Sequence, residues 1–188
     1  MAQSLIRFLI VLVFTCLLPA SCVRSSSVLP PISNFPRGHI APNFELYNVL
    51  GKKVSLDSFR GRVVLLNFWA TWCGPCLQEI NSLRSLHEHF QEQPFEIVGV
   101  SIDDSGNDLL SYVKRKKIAY PVLIDRSKAV ARLYGVRDLP FSLVLDKEGR
   151  TVSFPNPKTG KLSFSIIGAY DWDGEETIQA FQSLLKQR

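Results

Sequence analysis

Cysteine and histidine are both scarce in this chain, and their scarcity argues against a zinc site. Of 188 residues, 4 are cysteine and 3 are histidine. Cys16 and Cys22 lie in an apolar N-terminal stretch, which leaves Cys73 and Cys76 as the thiols of the folded part. A structural zinc site takes four ligands from cysteine and histidine, and the sequence offers no second cysteine pair to supply them. We therefore predict no metal site, and we expect no other cofactor.

A strong excess of one charge is absent as well. The chain has 22 lysines and arginines against 17 aspartates and glutamates, a formal net charge of +5, and acidic residues lie among the basic ones throughout. The densest basic run, KRKK at residues 114–117, ends a predicted helix, where cations stabilise the helix dipole. We therefore predict no nucleic-acid partner.

The apolar run at the N-terminus is short for a membrane span. In residues 1–22, Arg7 precedes an apolar core at residues 8–18, whereas a spanning helix needs about 20 residues. This is the pattern of an export signal. Small or turn-forming residues directly precede Cys22, which makes Cys22 a candidate for lipidation. Simple cleavage and an uncleaved membrane anchor are the alternatives, and each of the three places the rest of the chain outside the cytoplasm.

The remaining chain suits one domain joined to a tether. Residues 23–42 are rich in serine and proline without a hydrophobic period, which indicates a flexible tether. Residues 43–188 alternate strand and helix patterns, and this predicts an α/β domain with a mixed central sheet flanked by helices. The patterns predict strands at 44–49, 54–56, 63–69, 95–102, 121–124, 139–146, 150–154 and 162–167, and helices after Cys73 and at 109–117, 129–134 and 177–185. Asp103, Asp104 and Ser105 are N-cap candidates for the second helix.

The central strand leads into the sequence Cys73-Gly74-Pro75-Cys76 and then into apolar residues at helical spacing. This order places Cys73 at a helix N-terminus, where free backbone N–H groups and the helix dipole stabilise an anion. The Cys73 thiolate should therefore form more readily than that of free cysteine. Cys76 lies one turn further along, near enough to close a disulfide but shielded from solvent. We predict that Cys73 attacks and Cys76 resolves.

The run FWATWCGPC at residues 68–76 resembles the active-site segment of thioredoxin. A wider resemblance, over residues 41–187, is to the TlpA/ResA-like branch of exported thioredoxin-fold proteins. It is carried by APNF at 41–44, Asn67, the strand and helix inserted between 95 and 125, and Gly168 followed by Asp171-Trp172. The resemblance implies a thioredoxin fold with an N-terminal β-hairpin and an inserted strand–helix unit.

The same resemblance implies a biological setting. It predicts a disulfide reductase in the bacterial periplasm or on the outer face of the membrane, tethered through its N-terminus and often active in cytochrome c maturation. Its partners would be a protein disulfide, such as that of an apocytochrome c, and a membrane electron donor of the CcdA/DsbD type.

Individual residues carry over from the family. Pro140 matches the family's cis-proline, which lies beside the disulfide. Glu79 matches an acidic residue near the active site, and burial would suit it to take the proton from Cys76. Asn67 stands where thioredoxin has a buried aspartate, so Glu79 is the natural substitute. The positions that we expect to contact substrate are Trp72, Gly74, Pro75, Leu139 and Phe141.

The resemblance and the residues leave several functions to compare. A reductase is favoured because Gly74-Pro75 resembles the reducing members, whereas strongly oxidising relatives carry a histidine between the cysteines. A disulfide-forming oxidase is the alternative. A non-catalytic binding module would have lost one or both cysteines, and both are present. A peroxidase is weaker still, because no additional thiol exists in the folded region.

Overall fold

The computed structural model describes residues 38–104, 106–156 and 159–187. The predicted leader, the lipidation candidate Cys22 and the first part of the predicted tether lie outside the described residues. The last part of that tether pairs with the domain, since Gly38 and Ala41 donate backbone hydrogen bonds to Thr151 and Gly149 at 3.1 and 2.9 Å. In the ranges that the structure describes, no helix is long and apolar enough to cross a membrane.

Ten strands and four α-helices make up the described part of the chain. The strands are β1 (Glu45–Asn48), β2 (Lys53–Ser55), β3 (Val63–Trp69), β4 (Phe95–Ser101), β5 (Val122–Ile124), β6 (Phe141–Leu145), β7 (Thr151–Val152), β8 (Phe154–Asn156), β9 (Lys161–Ser163) and β10 (Ile166–Ile167). The helices are α1 (Gly74–His89), α2 (Gly106–Arg115), α3 (Ala129–Leu133) and α4 (Glu175–Leu185), and a short 3-10 helix covers Leu56–Phe59.

Eight of the strands form one mixed sheet in the order β10, β6, β3, β4, β5, β1, β2, with β7 also paired to β6. The β3–β4 and β4–β5 pairs are parallel, whereas β6 and β1 run antiparallel to their neighbours. The N-terminal hairpin is the antiparallel pair β1–β2. The predicted α/β class, with its mixed sheet flanked by helices, is thereby confirmed.

Two predicted strands are wrong, because each divides between two sheets. Residues 150–154 are not one strand, since β7 pairs with β6 and β8 pairs with β9. Residues 162–167 are not a single edge strand, because β9 pairs with β8 in a separate two-stranded sheet and β10 pairs with β6. The two segments follow different partners, and Ser163 donates its hydroxyl to the carbonyl of Ser165 at the junction.

The sheet has a core on each face, and strand alternation decides which residues enter each core. Side chains of a strand alternate between the two faces. In β3, Val63, Leu65 and Trp69 pack beneath α1, α2 and α4, whereas Val64, Leu66 and Phe68 pack beneath α3. The same alternation places Asn67 on the α1 side of the sheet, in a strand whose seven residues are all buried.

Candidate active site

Cys73 is the N-cap residue of α1. Its extended backbone ends the loop after β3, and its sulfur accepts a hydrogen bond from the backbone N–H of Cys76 at 3.2 Å. Pro75 stands in the first turn of the helix, where its missing N–H leaves no hydrogen bond unmade. Cys73 and Cys76 are joined by a disulfide. The predicted position of Cys73 at a helix N-terminus is therefore confirmed, and the pair is in its oxidised state.

The two sulfurs differ in their access to the surface. Cys73 lines a groove of about 530 Å³, and Trp72, Pro75 and Leu139 line it as well. Cys73 is 6% exposed and Cys76 is 1% exposed, both in the core beneath α1, whereas Trp72 beside them is 64% exposed. Gly74 is also exposed at the surface. A substrate disulfide that enters the groove therefore meets Cys73 before Cys76.

The peptide bond between Leu139 and Pro140 is cis, as the family resemblance implied. Pro140 is buried at the start of β6, and its carbonyl accepts a hydrogen bond from the backbone N–H of Gly168 at 2.9 Å. Leu139 borders the groove that contains Cys73. Leu139, which precedes the cis bond, and Cys73 thus border the same groove.

Phe141 does not lie where we expected it. Its side chain is 3% exposed and packs against Phe68 with ring centroids 6.1 Å apart, in the core beneath α3. The expected position of Phe141 on the substrate-facing surface is therefore wrong for its side chain. The physical reason is strand alternation in β6, which turns Phe141 away from the face that carries Ser142.

Glu79 is buried, 2% exposed, and both of its carboxylate oxygens accept hydrogen bonds. Asn67 donates its side-chain amide to Oε1 at 2.8 Å, and Trp172 donates its indole N–H to Oε2 at 3.1 Å. The Asn67 amide also donates to the hydroxyl of Ser142 at 3.0 Å. Burial disfavours the ionised form of a carboxyl group, whereas N–H donors stabilise it. Both effects act on Glu79.

This network extends the interpretation of Asn67. The sequence showed that Asn67 cannot replace a buried aspartate as a proton acceptor, and the structure shows that it instead holds Glu79. Trp172 belongs to the residues that carry the family resemblance, but the sequence did not indicate it as a site residue. Its indole reaches Glu79 across 93 residues of chain, and no local pattern in the sequence indicates that contact.

Glu79 also borders a second groove and influences a buried tyrosine. The groove, about 440 Å³, is lined by Glu79, Ser82, Tyr170 and Asp171 among others, and it offers the carboxyl a route to solvent apart from the Cys73 groove. Burial raises the pKa of Tyr120 well above its ordinary value, and the charge of Glu79 raises it further. Tyr120 therefore stays neutral and is no rival proton acceptor.

Asp103 holds the loop that precedes Cys73. Its carboxylate is 6% exposed and accepts hydrogen bonds from the backbone N–H of Thr71 at 3.0 Å, from the Thr71 hydroxyl at 2.6 Å and from the Ser101 hydroxyl at 2.6 Å. The sequence suggested Asp103 as a helix cap. Its carboxylate oxygens instead hold Thr71, two positions before Cys73. Asp103 itself lies just after the end of β4.

A larger cavity, about 770 Å³, lies beside β1, β2 and α2 and includes neither cysteine. Among the described residues, no group of three or more His, Cys, Asp or Glu side chains could hold a metal ion.

Comparison with known proteins agrees with this geometry. Residues 37–153 match the model of the AhpC/TSA family, which is more than half of the chain. The chain belongs to the AhpC/TSA family of thioredoxin-fold proteins. It is 33% identical over 165 residues to the thiol-disulfide oxidoreductase ResA of Bacillus subtilis, covering 88% of this chain and 89% of that protein. It is 36% identical over 115 residues to ResA of Bacillus thuringiensis, covering 61% of this chain and 66%, just under two thirds, of that protein.

A solved structure supports the fold. A crystal structure described as the thiol:disulfide interchange protein DsbE of Chlorobium tepidum matches with a TM-score of 0.69 and 28% identity, covering 80% of this chain and 99% of that one. The predicted thioredoxin fold and the predicted TlpA/ResA-like resemblance are thereby confirmed. The ResA relatives are named thiol-disulfide oxidoreductases, and Cys73 and Cys76 of this chain are joined by a disulfide.

Proposed function

We propose that this ResA-like protein reduces disulfides of other proteins outside the cytoplasm. The observation that carries the proposal is that Cys73, 6% exposed, lines a surface groove, whereas Cys76, 1% exposed, does not. Cys73 lines the open groove at a helix N-terminus, whereas Cys76 lies in the core one turn before the buried Glu79. An attacking thiolate and a shielded resolving thiol need this arrangement.

The reaction starts from the reduced pair. The Cys73 thiolate attacks one sulfur of the substrate disulfide, forms a mixed disulfide and releases the first substrate sulfur as a thiolate, which takes a proton from water. The Cys76 thiol then loses its proton, and its thiolate attacks the Cys73 sulfur. The second substrate sulfur leaves, and two electrons have passed to the substrate. The product on this protein is the Cys73–Cys76 disulfide, the state present in the structure.

Glu79 is the proposed acceptor of the Cys76 proton. It lies three residues after Cys76 on α1, so both side chains share a helix face. Asn67 and Trp172 fix the two carboxylate oxygens, which supports a defined acceptor geometry. The groove beside Ser82 then returns the proton to solvent.

The direction of electron flow follows from how strongly the Cys73 thiolate is stabilised. A pair whose reduced form is strongly stabilised acts as an oxidant. The residues between the cysteines here are Gly74 and Pro75, which carry no charge, so the helix N-terminus is the main source of that stabilisation. We therefore favour the reductase over the disulfide-forming oxidase, and both over a non-catalytic binding module.

The setting of the reaction is part of the proposal. An export signal at residues 1–22 and a tether from residue 23 to Gly38, where the chain begins to pair with the domain, would hold that domain beside the membrane, with Cys22 as the lipidation candidate. A membrane dithiol donor of the CcdA/DsbD type would regenerate the reduced pair, and an apocytochrome c is a suitable client. Mass spectrometry of the mature N-terminus tests the fate of Cys22.

Trapping of the mixed disulfide tests the proposed function. The Cys76→Ser variant keeps the attacking sulfur but cannot resolve, so it should hold client proteins in mixed disulfides that a reducing agent releases. The matched control is Cys73→Ser, which keeps the buried sulfur and should trap no client. Full disulfide-reducing activity in Cys73→Ser would contradict the mechanism.

A further inference from the structure

The groove that contains Cys73 has a charge imbalance among its side chains. Lys128, Arg132 and Arg137 line it together with one carboxylate, that of Asp138. Both arginines are exposed at the surface, and within the described part of the chain neither forms a salt bridge. Lys128 pairs with Asp104 at 3.3 Å, across an exposed contact. Two unpaired guanidinium groups therefore border the path to the attacking sulfur.

Buried hydrogen bonds hold the backbone that carries Lys128 and Arg132. Lys128 directly precedes α3 as its N-cap residue, and Arg132 lies in the last turn of the helix. Asp125, which is 1% exposed, accepts hydrogen bonds from the backbone N–H groups of Ala129 and Ala131 at 3.0 and 2.8 Å. This buried carboxylate holds the start of α3 in place. Arg132 therefore projects from a helix of defined position rather than from a free loop.

Arg137 supplies the third charge from another element. It lies two residues before Leu139, the residue that borders the groove and precedes the cis bond at Pro140. A substrate segment that runs past the cysteine pair along this groove passes both α3 and the 137–139 loop. The cations are thus placed to meet side chains that flank a substrate cysteine.

The opposite side of α1 carries acidic side chains. The groove beside the second turn of α1 is lined by Glu79, Asp171 and Asp173, and by no cation. An extended segment with carboxylates is attracted to the Cys73 groove and repelled from this one. A basic segment meets the reverse arrangement.

We propose that the Cys73 groove selects disulfides flanked by acidic residues in an extended polypeptide segment, with Arg132 and Arg137 as the selecting groups. The inference rests on the proposed function and names its substrate class. It adds no chemical step, because the thiol–disulfide exchange at Cys73 is unchanged. Charge pairs of this exposed kind act mainly on the association rate and are weakened by salt.

Three model peptides test the proposal. They share one length and one intrachain disulfide and differ only in flanking residues, which are aspartate, serine or lysine. The fully reduced full-length protein is mixed with excess peptide, the reaction is quenched with acid, and the oxidised fraction is measured over time. The wild-type rate constant should be about tenfold higher for the aspartate peptide than for the lysine peptide at about 0.05 M salt, and within about twofold at about 1 M.

Charge reversal identifies the groups responsible. An exposed ion pair contributes about 1.4- to 5-fold to the rate, so Arg132→Glu/Arg137→Glu, which removes two such pairs, should reduce the rate with the aspartate peptide by about two- to twenty-fivefold. The same variant should reduce the lysine peptide faster than the aspartate peptide. Its rate constant with the serine peptide should stay within about twofold of the wild-type value. Arg132→Gln/Arg137→Gln should abolish the preference for the aspartate peptide without reversing it. This neutral variant tests the proposal if the charge-reversal variant does not fold.

The matched control is Lys52→Glu/Lys114→Glu. It makes the same change in net charge beside the large cavity that contains neither cysteine, so it should keep the wild-type preference. Equal losses on all three peptides, or a control that loses the preference equally, would overturn the role of the arginines. A wild type that reduces the three peptides at equal rates refutes charge selection alone, whereas one that reduces none refutes the proposed function itself.

Discussion

The hydrogen bond from Trp172 to Glu79 gives the sharpest test of the proton-transfer step. Trp172→Phe removes the indole N–H that donates to Oε2 at 3.1 Å and keeps an aromatic ring against Tyr170, whose centroid is 4.3 Å away. The matched control is Trp69→Phe. Trp69 is also buried, at 2% exposed, and its indole nitrogen has no hydrogen-bond partner within the described residues.

The two substitutions should differ in stability. A hydrogen bond to a charged group contributes about 1.5–3 kcal/mol, and trimming a buried aromatic ring costs roughly 1 kcal/mol more. We therefore expect Trp172→Phe to lower the free energy of unfolding by about 2.5–4 kcal/mol, against about 1 kcal/mol for Trp69→Phe. Urea denaturation of the oxidised proteins measures both values.

The kinetic effect separates a positioning role from a packing role. Ellman's reagent reacts with the reduced pair in two steps, and each releases one coloured thiolate: first as Cys73 attacks, then as Cys76 resolves. Loss of the N–H donor favours protonated Glu79, so fewer molecules hold the proton acceptor at acidic pH. If ionised Glu79 loses about 1.4 kcal/mol of stabilisation, the second step slows about tenfold at acidic pH. The rate of the variant then approaches the wild-type rate as the pH rises.

The first step and the control define the outcome that would refute the reasoning. Cys73 attack does not use Glu79, so the first absorbance phase of Trp172→Phe should match the wild type. Trp69→Phe should keep the wild-type pH profile in both phases. If both variants slow the second phase equally at every pH, Trp172 only packs, and its bond to Glu79 has no part in proton transfer.

Three further predictions concern the acceptor, the loop and the core. Glu79→Gln should slow the second phase by about 10²-fold or more near neutral pH and leave the first within about twofold, and an unchanged second phase would remove Glu79 from the mechanism. Asp103→Ala leaves the Thr71 and Ser101 donors without their acceptor, so urea denaturation should show a loss of about 2–4 kcal/mol, and a loss under about 0.5 kcal/mol would contradict this role. Leu86→Ala, at a fully buried position of α1, should cost about 2–5 kcal/mol, whereas Leu50→Ala, at a position 77% exposed, should cost under about 0.5 kcal/mol.

Local patterns predicted the parts of the fold that local physics determines. The apolar run of β3, the glycine–proline turn and the helical spacing after it place Cys73 at a helix N-terminus without any long-range information. The β1–β2 hairpin and the start of α3 follow from short-range signals in the same way. For these elements the sequence and the structure agree within a few residues.

Contacts between distant segments were beyond local patterns. Trp172 and Glu79 are 93 positions apart, and Thr71 and Asp103 are 32 apart, so only the assembled sheet brings each pair together. The split of residues 162–167 has the same cause, since β9 and β10 pair with strands chosen by the tertiary fold.

The side-chain direction of Phe141 is a related case. It depends on the register of β6 against β3, where Phe141 lies opposite Phe68 and Ser142 opposite Asn67. That register carries Ser142 to the Glu79 side of the sheet and Phe141 to the other core. Proximity to Pro140 in sequence suggested a surface position that the register does not allow.

The equilibrium reduction potential of the Cys73–Cys76 pair tests the central claim most directly. The purified protein is equilibrated in a series of thiol–disulfide buffers, and the reduced fraction is measured after alkylation. A reductase should give a value near or below about −270 mV, the potential of thioredoxin. A value near about −120 mV, that of the strong oxidant DsbA, would mean that the protein forms disulfides and would contradict the proposed direction of electron flow.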